Sequence, residues 1–101
     1  MNFIVYNIKK GGDSVKIFFV IGSVTAATRL IRELYKSGIK KASVVNTPTA
    51  ISSGGCSYSI KSDESEVEQI YLVARRKNIK VKGVYREIES GEECKYESIS
   101  G

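Results

Sequence analysis

From Lys16 to Ile88 the apolar residues change period in a fixed order, and that order restricts the fold more than any other feature of the chain. "VKIFFVI" (15–21) is a run of strand formers. Ala27, Leu30, Ile31, Leu34 and Tyr35 then recur at helical spacing, with Ser23 placed to cap the start and Gly38 to close the end in a left-handed turn. "KASVVN" (41–46) predicts a short strand, and "CSYSIK" (56–61) alternates as a half-buried strand does. Asp63 and Glu66 have capping-box spacing ahead of Val67, Ile70, Tyr71 and Ala74, which line one face of a second helix ending near Asn78. Arg75, Arg76 and Lys77 fall in its last turn, where cations suit the helix dipole. "IKVKGVYREI" (79–88) predicts the last strand, with Gly83 as a bulge. Strand, helix, strand, strand, helix, strand is the split βαβ pattern. The expected fold is therefore α+β and ferredoxin-like, a four-stranded antiparallel sheet with both helices on one face.

The flanks are read separately. "NFIVYNI" (2–8), broken by "KKGGDS", predicts an extra N-terminal strand or hairpin over residues 1–15, with a frayed arm as the alternative. Residues 89–101 are rich in Glu, Ser and Gly and predict a mobile acidic tail beyond a 16–88 domain. One domain is what 101 residues accommodate.

Charge divides along the same line. Residues 1–86 hold 15 basic and 6 acidic side chains, whereas 87–101 hold five Glu and one Lys. A basic body is usually a solvated surface and less often a polyanion site. The absence of histidine rules out Ser-His-Asp and Cys-His catalysis, and two thiols without histidine cannot make an ordinary zinc site. No cofactor or metal is expected, and no phosphate-binding glycine motif occurs, so an independent enzyme is the least favoured reading. The longest apolar run, 17–21, is too short for a membrane span. No basic region precedes the first apolar residues and no small-residue cleavage site follows them. The expectation is a cytoplasmic protein with reduced thiols.

The chemistry concentrates in "NTPTAISSGGCSYSI" (46–60). In the expected topology the end of the first strand lies beside the start of the third, which brings Cys56 toward Gly22-Ser23 and the first helix N-terminus. Free N–H groups and a partial positive charge there lower a thiol's pKa. Ser52, Ser53, Gly54 and Gly55 can present backbone N–H groups as an anion nest. Arg75, Arg76, Lys77 and Lys80 are expected at the same end. Read from its residues alone, Cys56 has two readings. It is a small buried hydrophobe in phase with Tyr58 and Ile60, or a reactive thiol at the sheet's rim. Cys94 sits among Glu92, Glu93 and Glu97, whose charges disfavour a thiolate.

"FFVIGSVTAATRLIRELYKSGIK", "VVNTPTAISSGGCSYSI" and "VKGVYREI" together resemble the DUF3343 family of small bacterial proteins, described as selenium/sulfur carrier-like. The resemblance spans about residues 16–88 and is carried by Pro48, Ile51, Ser52, Ser53 and Cys56, with Gly22-Ser23 and Gly83. Thr49 stands where members usually carry arginine, and Gly54-Gly55 separate Ser53 from Cys56 where one residue is usual. The resemblance implies a carrier thiol on Cys56, holding sulfur or selenium as a persulfide or perselenide. Ser23 and the Ser52–Gly55 backbone would stabilise the anion. Sulfur or selenium donor and acceptor proteins would be the partners. Two other readings stand beside it. One is a nucleic-acid or polyanion-binding module with Phe18 or Phe19 and Tyr85 stacking bases, although the Lys/Arg-Gly-aromatic signature is missing. The other is a non-catalytic interaction domain that forms homo-oligomers through its N-terminal strand.

Overall fold

The structure, a computed structural model, describes residues 15–51, 57–90 and 93–99. Its elements are β1 (Lys16–Val20), α1 (Val24–Lys36), β2 (Ser43–Asn46), β3 (Tyr58–Asp63), a 3₁₀ turn (Glu64–Glu66), α2 (Val67–Arg76), β4 (Gly83–Ser90) and β5 (Glu93–Ser98). One antiparallel sheet runs in the order β2-β3-β1-β4-β5. The expected four-stranded sheet is thus corrected to five strands. The other four strands keep the order and directions of a ferredoxin-like chain. The expected extra N-terminal strand lies outside the described residues.

β1 occupies the centre because "KIFFV" can be buried on both faces. On one face Ile17 and Phe19 join Ile60 of β3 and Val84 of β4. Over them pack Ala27, Leu30 and Leu34 of α1 and Ile70, Val73 and Ala74 of α2. Phe19 meets the edge of Tyr71 with ring centroids 5.5 Å apart. Both helices therefore cover the same side of the sheet.

The two helices stop by the same device. After α1, Gly38 takes φ +95°. The Gly38 N–H then donates to Tyr35 O at 3.1 Å, and the Ile39 N–H to Leu34 O at 2.9 Å. After α2, Asn78 takes φ +58°. The Asn78 N–H donates to Arg75 O at 3.2 Å, and the Ile79 N–H to Ala74 O at 2.9 Å. These are paired Schellman closures, each burying the isoleucine that follows the left-handed residue. The starts differ. Ser23 Oγ accepts the Ala26 N–H at 3.1 Å, a true N-cap. The expected Asp63–Glu66 capping box does not form, because Asp63 makes no side-chain cap bond. Its carboxylate is held by Lys16 Nζ at 2.8 Å, and a 3₁₀ turn intervenes before α2.

The expected mobile tail is the second correction: it supplies β5, registered on β4 from Tyr85↔Ser98 to Ser90↔Glu93. Arg86 neutralises part of its acidity, with Nη2 2.9 Å from Glu97 Oε1. Tyr96 covers the sheet face away from the helices, meeting Phe18 edge to face at 5.5 Å. Gly83 is not a bulge, since it begins β4 in regular register with Val20. A side chain there would crowd the Tyr85 ring, whose Cε1 lies 3.1 Å from an added Cβ and would have to give by a few tenths of an ångström.

Tyr96→Ala removes the aromatic partner of Phe18 and part of its cover. The expected outcome is a loss of about 1–3 kcal/mol of stability, read from urea unfolding with the m-value unchanged.

Candidate functional site

Because β1 is flanked by antiparallel neighbours, its head collects three other chain segments. The carbonyl of Tyr58, the first residue of β3, accepts the N–H groups of Ile21 and Gly22 at 2.9 and 3.2 Å. Val20 O accepts the Lys82 N–H at 2.8 Å and holds the entry to β4 on the other side. Between them Gly22 turns the chain into α1 with φ +107°, a conformation that favours glycine. The Lys82 side chain lies across this glycine, its Nζ 3.1 Å from where a Cβ would stand.

The β2–β3 loop arrives at the same rim, and its base is fastened by hydroxyls. The Thr47 N–H donates to Ser57 O at 2.9 Å, and Thr47 Oγ1 donates to Ser57 Oγ at 3.1 Å. Thr47 Oγ1 also shares a 2.6 Å hydrogen bond with Ser59 Oγ, and Ser59 is fully buried. Further along, the Ile51 N–H donates to Pro48 O at 2.9 Å, closing a turn over 48–51. Ile51 then joins Val20, Lys82, Gly83 and Tyr85 around a cleft of about 140 Å³.

Ser52, Ser53, Gly54, Gly55 and Cys56 lie outside the described residues. Ser23 stands at the rim, its hydroxyl occupied as the α1 cap. Arg75 and Arg76 are exposed at the end of α2, and Lys80 is exposed in the connection to β4. None of the three lines the cleft. Lys77 turns to α1 instead, with Nζ 3.6 Å from Glu33 and its carbonyl accepting Arg29 Nη2 at 3.4 Å. The cation at the rim is Lys82, which a strand expected to begin at residue 79 hid within its interior. The signal that could have found it is its position between Val81 and Gly83, facing the Gly22 turn across the predicted β1–β4 pair.

Neither phenylalanine offers a face for base stacking. Phe19 is fully buried in the helix-side core, and Phe18 is 4% exposed beneath Tyr96 and the Lys61 ammonium. Cys94 pairs with Glu89, six residues along β4 from the rim residue Gly83, a distance of about 20 Å at strand rise. Among the described residues, no helix is long and apolar enough to cross a membrane.

The β2–β3 connection, fastened at its base by Thr47, Ser57 and Ser59 at the head of an antiparallel α+β sheet, defines the class: a small two-helix, single-sheet domain. The family model described as "Putative Se/S carrier protein-like" matches residues 16–86, and the chain belongs to that family. No curated protein and no solved structure matches it.

Thr47→Val deletes the hydroxyl that Ser57 and Ser59 share and leaves Ser59 Oγ buried without it. The expected cost is about 1–3 kcal/mol by denaturant unfolding, because an orphaned buried hydroxyl keeps its desolvation penalty.

Proposed function

We propose that the protein carries sulfur or selenium on Cys56 as a persulfide or perselenide and passes it between donor and acceptor proteins. The observation that carries this reading is membership of the carrier-like family across residues 16–86. Covalent geometry adds support. Two peptide units link Cys56 to Tyr58, so its Cα stays within about 7 Å of the strand that anchors the rim. A terminal persulfide is anionic at neutral pH, and the groups available to it are of the right kind. They are the backbone N–H groups of Ser52–Gly55, the α1 N-terminus at Ser23, and the Lys82 ammonium. Arg75, Arg76 and Lys80 act at longer range, drawing acidic donor surfaces toward this end.

Loading is a thiol exchange. The Cys56 thiolate attacks the terminal sulfur of a donor persulfide, the donor's S–S bond breaks, and its thiolate departs with the electron pair. No cofactor is required, and the domain acts as a carrier rather than an independent catalyst. A resolving role for Cys94 is not part of this reading: it pairs with Glu89, six residues along β4 from the rim residue Gly83, and a disulfide needs Cα atoms within about 7 Å. The buried state of Phe18 and Phe19 weighs against the nucleic-acid reading.

The test is mass spectrometry after incubation with a cysteine desulfurase and cysteine. A gain of about 32 Da, one sulfur atom, is expected on Cys56; it disappears in Cys56→Ser and persists in Cys94→Ser. An unmodified Cys56 under conditions that load a known acceptor refutes carriage. Separately, Lys82→Gln is expected to slow iodoacetamide alkylation of Cys56 at neutral pH by about two- to five-fold, the effect of removing one nearby solvated cation from a thiolate.

A further inference from the structure

At the opposite end of the sheet, away from the rim, three lysines and one carboxylate line a single cavity. Lys16 opens β1, Lys61 lies on β3, and Lys41 comes from the connection between α1 and β2. Asp63 sits in register opposite Lys16, and its carboxylate is 2.8 Å from Lys16 Nζ and 3.8 Å from Lys41 Nζ. That carboxylate is largely buried, with 13% of the side chain exposed, so it is a fixed point of the site. Among the described residues Lys61 pairs with no carboxylate, and it holds its ammonium 5.7 Å from the centroid of the Phe18 ring. With Ser43 and Ser62, these four residues line a cavity of about 200 Å³.

Among the described residues, the three ammonium groups and one carboxylate that line this cavity leave a formal excess of two positive charges. Like charges brought together repel, and a single bound dianion relieves that repulsion. Lysine suits such a ligand as a point charge, and Ser43, paired in register with Lys61, adds a hydroxyl donor. The cavity has the volume of several water molecules, enough for a tetrahedral oxyanion and a small substituent. We infer that this end of the sheet is a binding site for a compact dianion of the phosphate or phosphate-monoester class. Lys41 and Lys61 are its principal contacts. Lys16 stays on Asp63, whose charge disfavours bulkier polyanions. The site stands about 13 Å from the rim along β1, a four-residue strand rise, and does not depend on the carrier reading.

The probe is inorganic phosphate, titrated into the full-length protein at constant ionic strength, with chloride as the reference and amide chemical shifts as the readout. Saturable shifts are expected at Lys16, Lys41, Ser43, Lys61 and Asp63 and are absent with chloride. Lys41→Gln combined with Lys61→Gln should weaken binding by about ten-fold or more, whereas Arg32→Gln with Lys36→Gln, which removes the same net charge on the exposed face of α1, should leave it unchanged. Asp63→Asn should tighten it, and dispersed amide spectra verify that each variant is folded. Shifts that do not saturate, that appear equally with chloride, or that respond alike to the two double variants overturn the inference. A small phosphate monoester binding no tighter than inorganic phosphate identifies the free oxyanion as the ligand, and tighter binding identifies the ester.

Discussion

Nearly everything in this molecule follows from one strand being apolar on both sides. β1 pairs with β3 on one flank and β4 on the other, so its four apolar residues, Ile17 to Val20, are enclosed by sheet neighbours, by the helices over Ile17 and Phe19, and by Tyr96 over Phe18. An antiparallel arrangement on both flanks then decides which chain ends meet. The head of β1 receives the beginnings of β3, β4 and α1, while its foot receives the end of β3 and, through Lys16, the Asp63 carboxylate. The two ends acquire different characters. Among the described residues, one is a rim where the Gly22 turn, the start of β3 and Lys82 meet, and the other is a cleft lined by three lysines and an acid.

The helical layer shows how similar requirements are met by different residues. Gly38 and Asn78 both adopt a left-handed conformation, glycine because it lacks a Cβ and asparagine because its short polar side chain tolerates that region. Each sends a buried isoleucine back against the helix it ends. The helix starts are not equivalent. Ser23 caps α1 with its hydroxyl, whereas the aspartate that could have capped α2 is taken by an ion pair with β1. Local capping lost to a tertiary charge pair, and the chain absorbed the difference in one 3₁₀ turn.

Periodicity was sufficient to read both helices, the strands that pair around β1, and the meeting of Gly22 with the start of β3. It was not sufficient for β5. "ECKYES" is polar and acidic, and its strand character comes from a cross-strand Arg86–Glu97 pair and from Tyr96 covering Phe18, neither of which is visible until β4 is beside it. The same limit applies to Lys82. Its place at the rim depends on where β4 begins, and "IKVKGVYREI" does not mark that point, because Val81 and Val84 suit a strand on either side of the glycine. Arg75, Arg76 and Lys80 read as binding residues of the rim because the end of α2 and the start of β4 reach that end; all three are exposed and none lines the cleft, and a shared end of the domain does not amount to a shared cleft.

The hydroxyl fastening of Thr47 to Ser57 and Ser59 separates two tasks within a small domain. Strand pairing resumes immediately inside that knot, so the sheet is insulated from whatever spans the gap outside it. Lengthening a loop between fixed ends costs little free energy, since closure entropy grows only with the logarithm of its length. Segments that differ in size or in their glycines can therefore be exchanged at this position without renegotiating the core, which gives a lineage freedom to vary the segment between the two anchors on an unchanged frame.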